Sequence, residues 1–171
     1  MKLTQHNYGK AKVRVLKVFR AGKIHSLKEL EVQVMLQGDF DASYTKSDNR
    51  LVVATDSVKN TINVLAKQKL GAETELFGIL LGEHFLNTYQ HVSRVEVTLT
   101  EHCWGRITVN GRAHAHSFSE KSAAKPFAKI VSTRQASVVE TRPSASAGRT
   151  IRRVRGRRAG SLVLREGGVA R

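Results

Sequence analysis

The chain has a single cysteine, Cys103, in 171 residues, so no intramolecular disulfide can form. A reducing interior such as the cytoplasm is the expected compartment. No run of 18 apolar residues occurs, which excludes a membrane-spanning helix. The opening stretch Met1–His6 is basic but has no apolar core behind it, so it does not read as a secretory signal. Aromatic residues make up only 6% of the chain, and none follows Phe127. Acidic residues are scarce too: 14 Asp and Glu stand against 29 Lys and Arg, a net charge of +15. The rest is ordinary for a globular protein, with 40% hydrophobic and 25% charged residues, and this argues against global disorder. The length suits one domain with room for a tail.

The basic excess is uneven. Residues 1–117 carry 16 Lys and Arg against 11 Asp and Glu, whereas residues 118–171 carry 13 against 3. Lysine dominates the first part and arginine the second. All seven histidines lie in the first part, and both prolines, Pro126 and Pro143, lie in the second. The shift marks a boundary near 117–125.

Hydrophobic spacing orders the first part. Residues 11–19 are rich in β-branched side chains, and residues 28–36 alternate, with Leu30, Val32, Val34 and Leu36 on one side. Joined through Ala21-Gly22-Lys23, they read as a hairpin. Thr55-Asp56-Ser57 follows the apolar Leu51–Ala54 and offers three good helix caps; Val58, Ile62 and Leu65 then recur at helical spacing until Gly71. A second helix is expected from about Glu75 to Tyr89, with Gly78 and Gly82 placed for close packing on a sheet or on the other helix. Alternation returns at Val95, Val97 and Leu99. After a turn at Glu101-His102-Cys103, Trp104–Val109 is expected to return beside it, and Asn110-Gly111 is a strong turn pair. The order β-β-α-α-β-β predicts an α+β unit: a four-stranded antiparallel sheet with both helices on its apolar face and open edges that favour pairing with copies of itself.

Several stretches carry more information. Tyr8-Gly9-Lys10, Asp41–Asn49, Val53–Thr61, Leu65–Gln68, Glu75–Phe85 and Arg112–Phe118 resemble, in order and nearly collinearly, the urate oxidase (uricase) family. The resemblance spans roughly residues 7–121. It implies a tunnelling fold (T-fold) for residues 7–118 and a homotetramer whose sheets close into barrels. The implied reaction oxidises urate with O2 and water to 5-hydroxyisourate and hydrogen peroxide. No metal, flavin or other cofactor is implied.

Carried over residue by residue, Lys10 matches the family's catalytic lysine and Thr55 its partner threonine. A neutral lysine amine joined to a hydroxyl can act as a proton relay. Thr55 and Asp56 match substrate-binding positions at a helix start, where an anion is favoured. The resemblance is taken to imply that the lysine of one subunit meets the threonine and aspartate of another. Two departures stand out. The family's His-Pro-His-Ser-Phe is here His114-Ala115-His116-Ser117-Phe118. Past Lys121 no counterpart is found for the family's second unit, with its stacking aromatic residue, ring-gripping arginine and glutamine, and catalytic histidine; residues 122–171 hold no His, Trp or Tyr.

Simpler readings compete with each of these. A lysine in such a triplet is ordinarily a solvated surface group, and capping alone accounts for Thr55-Asp56-Ser57. His114 and His116 lie on one face of a strand and could bind a metal with His102 or Cys103, but no four-ligand spacing is present. Trp104 suits core or interface. Residues 122–171 are expected to form a disordered basic tail, read first as the frame-shifted remnant of a second unit. Arg149, Arg152, Arg153, Arg155, Arg157 and Arg158 within it form a cluster that suits polyanion binding, so a nucleic-acid partner is the alternative. Another T-fold enzyme acting on a purine or pterin is a further one. Eukaryotic members of the family are peroxisomal. The chain ends Val169-Ala170-Arg171 without a peroxisomal address, which favours the cytoplasm.

Overall fold

The sheet takes its register from period-two burial. Leu30, Val32, Val34 and Leu36 are fully buried along β2 (Ser26–Gly38), and Val95, Val97 and Leu99 along β3 (Val92–His102). The computed structural model describes residues 6–20, 22–121, 125–142 and 149–154. β2 lies between β1 (Tyr8–Phe19) and β3, antiparallel to both, with Val32 opposite Val13 on one side and Leu99 on the other. These apolar rows form the floor on which α2 (Thr55–Lys69) and α3 (Thr74–Thr88) rest; a short α1 (Asp41–Thr45) precedes them. Val58, Ile62 and Ala66 are the buried stripe of α2, while Phe77, Leu81 and Phe85 anchor α3.

The expected α+β T-fold is present, with one strand exchanged. Trp104–Val109 (β4) does not join the main sheet. It pairs with β5 (Arg112–Glu120) in a separate two-stranded ribbon, turning at Asn110 (φ 50°) and Gly111 (φ 74°). The fourth place beside β3 belongs to β6 (Phe127–Thr133). Burial explains the exchange. Ile107 and Val109 are exposed, so β4 offers α3 no apolar face, whereas Ala128, Ile130 and Ser132 of β6 are buried in alternation beneath it. β7 (Ala136–Arg142) and β8 (Arg149–Val154) extend the sheet to six strands, in the order β1-β2-β3-β6-β7-β8. The stretch expected as a disordered tail from residue 122 therefore contributes three strands. Arg155, Arg157 and Arg158 of the arginine cluster lie outside the described residues.

Two glycines set the spacing of α3 above the sheet. A Cβ at Gly78 would meet the flexible ends of Ile130 and Leu99, and one at Gly82 would meet Cβ and Oγ of Ser132, which is fully buried and accepts a hydrogen bond from Ser137 Oγ at 2.9 Å. The loop between the helices is fixed by the buried Lys28. Its ammonium donates to the Ala72 carbonyl and pairs with Glu101 at 3.2 Å, and Glu101 in turn accepts from Thr74 Oγ1 at 2.6 Å. The C-terminal end of α2 is held by Lys17 of β1, whose Nζ donates to the carbonyls of Ala66, Lys67 and Leu70 at 3.3, 3.0 and 2.8 Å. The Ala66 carbonyl also accepts the Leu70 N–H at 3.1 Å, so Lys17 is a second donor there, and a cation at this end meets the negative end of the helix dipole.

Two stability measurements check this packing. Gly82→Ala gains about 1 kcal/mol of helix propensity but overpacks a short, rigid side chain at about 1–3 kcal/mol, so a net loss of about 1 kcal/mol is expected in urea unfolding. Gly78→Ala meets only movable side-chain ends and is expected to be close to neutral; equal behaviour of the two would contradict the packing described. Lys17→Met is expected to lower stability by about 1 kcal/mol through loss of the helix-end contacts.

Candidate active site

The start of β1 and the start of α2 are joined by one side chain. Tyr8 Oη accepts a hydrogen bond from the backbone N–H of Val53 at 2.6 Å, two residues before the helix begins. The ring of Tyr8 stands edge-on to the fully buried Phe40, with centroids 4.8 Å apart, which fixes the phenol from below. Burial pushes the Tyr8 phenol above its usual range, partly offset by the Val53 N–H. In an extended strand, side chains two apart share a face. Tyr8 and Lys10 therefore point the same way, toward the entrance of α2.

A bulge follows immediately. Lys10 lies opposite Val34 and Val13 opposite Val32, so Ala11 and Lys12 together face Gln33. Lys12 takes a left-handed φ of 57°. Such bulges bend a strand and re-aim the side chains beside them. Gly9 allows the close approach: a Cβ there would fall on the Val34 carbonyl.

Thr55 and Asp56 are the first two residues of α2, and both are exposed. The cap position belongs to Ala54, which supplies no side-chain capping bond. The first bond of the helix is Val58 N–H to the Ala54 carbonyl at 3.1 Å. The capping expected of Thr55-Asp56-Ser57 is thus not how Thr55 is used, and the first N–H groups of the helix face outward at the positive end of its dipole. Asp56 pairs with Lys59 one turn on, at 3.0 Å. Its carboxyl is held below the usual range, first by that hydrogen bond and charge and then by the charge of Lys10.

Lys10, which is half-buried, therefore acts electrostatically on Asp56 within a single chain. The Tyr8–Val53 bond ties the start of β1 to the approach of α2 within the chain. Tyr8, which joins the two segments, carries no mark in the sequence beyond its place two residues before Lys10. The groove between β1 and α2, lined by Arg14, Leu16, Lys17, Asn63 and Lys67 among others, lies toward the far end of the helix and includes none of Lys10, Thr55 or Asp56. Thr55 and Asp56 thus stand on an open surface, with the half-buried Lys10 near it.

The other candidates are dispersed. His102 Nδ1 lies 3.5 Å from Glu120, and His116 meets His25 rather than joining His102 or Cys103. No group of three or more His, Cys, Asp or Glu side chains is arranged for a metal ion among the described residues. Trp104 donates its indole N–H to the buried Glu29 at 2.8 Å, and Arg14 donates to the same carboxylate, so Trp104 is a packing residue. No helix among the described residues is long and apolar enough to cross a membrane.

Comparison with known proteins gives this geometry a family. The sequence model of the uricase family matches residues 6–131. The uricase of Emericella nidulans is 46% identical over 117 residues, covering 67% of this chain and 39% of that one. The uricase of Dictyostelium discoideum is 46% identical over 119 residues, covering 68% and 42%. The crystal structure of uricase from Arthrobacter globiformis matches with a TM-score of 0.73 at 29% identity, covering 89% of this chain and 61% of that one. The chain thus spans about two-fifths of the length of those curated relatives. The likeness also passes Lys121, where the sequence resemblance had been expected to stop. The family match runs into β6 and the shared fold runs further, so a reading-frame change at 121 does not fit. From these matches, the chain belongs to the uricase family.

Proposed function

We propose that this chain supplies one half of a urate oxidase site, with Lys10 and Thr55 in proton transfer and Thr55 and Asp56 in holding the substrate. The observation that carries the proposal is the Tyr8–Val53 bond, which brings the β1 lysine and the α2 entrance to one surface. Urate is a flat, electron-rich purine anion. The outward N–H groups at the start of α2 suit its charge, and Lys10 joins them as an ammonium once its amine has taken up the substrate proton. The Thr55 hydroxyl, free of capping, suits relay of a proton between the purine and the lysine amine. Urate, O2 and water then give 5-hydroxyisourate and hydrogen peroxide, with urate itself as the electron donor and no cofactor required by this balance.

The ring-gripping residues and the catalytic histidine that the resemblance calls for have no counterpart in residues 122–171, so the surface that completes the site is proposed to lie outside the described residues. Oligomerisation through the open sheet edges is the proposed route, and the cytoplasm the proposed compartment.

The purified chain is expected to release hydrogen peroxide from urate at a rate lower by roughly a hundredfold or more than a full-length family enzyme, the scale of losing general acid–base participation. Turnover at full-length rates would contradict this. Equilibrium dialysis without oxygen is expected to show urate binding that weakens in both Lys10→Met and Thr55→Ala. Retention of the same affinity in both variants would remove these residues from the site.

A further inference from the structure

The β4–β5 ribbon is fastened to the turn before β2 by a small cluster that the proposed reaction does not use. His25 donates its backbone N–H to the Ala115 carbonyl at 3.2 Å, and its own carbonyl accepts from the Arg106 guanidinium. Arg106 also donates to the carbonyls of His114 and Ala115, at 3.1 and 2.9 Å. The backbones of the two segments are therefore cross-linked on both sides of His25. Above this brace, Nδ1 of His25 and Nδ1 of His116 face each other at 3.2 Å, with ring planes inclined by 57°. His25 is half-buried and His116 exposed, so the pair is open to ions from solvent.

We propose that His25 Nδ1 and His116 Nδ1 form an open, two-nitrogen site for a divalent transition-metal cation of the zinc type. Two nitrogens bound tetrahedrally at about 2.0–2.1 Å stand about 3.3–3.4 Å apart, close to the spacing already present. Without metal, one Nδ1 carries the hydrogen and donates it to the other. With both rings in the Nε2–H tautomer, both Nδ1 lone pairs are free to ligate. Imidazole nitrogens select zinc, copper or nickel over calcium or magnesium, which prefer oxygen. His114 is excluded from the pair because its Nδ1 accepts the backbone N–H of His116 at 3.3 Å. Water completes the coordination, since no third ligating side chain joins the group among the described residues. Arg20 and Arg106 lie close to His25, and their charge weakens the site. The bound ion ties the ribbon to the β1–β2 turn and stabilises the folded chain by mass action.

The test is calorimetric titration of the untagged full-length chain with Zn2+ alone, repeated on His25→Gln, His116→Gln and His114→Gln. The wild type and His114→Gln are expected to bind one ion and to show a zinc-dependent rise in Tm. His25→Gln and His116→Gln are each expected to lose roughly tenfold or more in affinity, and with it the rise in Tm. Far-UV circular dichroism confirms that the surface variants remain folded. Absence of heat and of any Tm shift up to about 1 mM Zn2+ overturns the proposal. Binding that survives in both His25→Gln and His116→Gln overturns it too.

Discussion

The hydrogen bond from the Val53 N–H to the Tyr8 hydroxyl is the constraint on which the candidate site depends. It holds the entrance of α2 to β1, and Lys17 holds the exit of the same helix to the same strand through three carbonyls. A helix strapped at both ends has little freedom to slide or turn. The bulge between Lys10 and Val13 sits inside the strap, so the aim of the lysine is set by backbone geometry as well as by its own rotamer. One strand and one helix start are thus held together within the chain.

The remainder of the fold supports that surface. The fully buried rows of β2 and β3 give α2 and α3 a continuous floor, and Gly78 and Gly82 let α3 settle onto β3 and β6. Ser132 and Ser137 satisfy each other beneath it, so the polar atoms there carry no unmatched desolvation. Addition of β7 and β8 leaves β1 and β8 as the outer strands of the main sheet. An open edge is a pairing surface, and the exposed Thr55 and Asp56 likewise lack the cover that water exclusion requires.

Much of this was legible in the residues, and what was missed has physical causes. Strict alternation in β2 and helical spacing at Val58 and Ile62 place those elements, because burial on one face leaves a periodic trace. The misplaced strand was Trp104–Val109, whose apolar residues look like a core strand but point into solvent. Its rightful substitute, Phe127–Thr133, buries Ala128 and Ser132, small residues with little hydrophobic signal of their own. The arginine-rich composition that follows masked β7 and β8. At the candidate site, Lys10, Thr55 and Asp56 rest on the resemblance, whereas spacing alone gives only a triplet and a cap. Tyr8 escaped notice because its role is a contact with the backbone across 45 positions, which no local pattern reports.

The central claim is that Lys10 and Asp56 share one surface within one chain. Its most direct test is the titration of the Asp56 side-chain carboxyl, followed by NMR at a concentration where the chain is monomeric. The carboxyl is expected to titrate below the ordinary aspartate range. Lys10→Gln is expected to raise its midpoint toward that range, and Lys59→Gln to raise it further, because Lys59 is the larger cause. An Asp56 midpoint that does not move in Lys10→Gln while rising in Lys59→Gln would contradict the account.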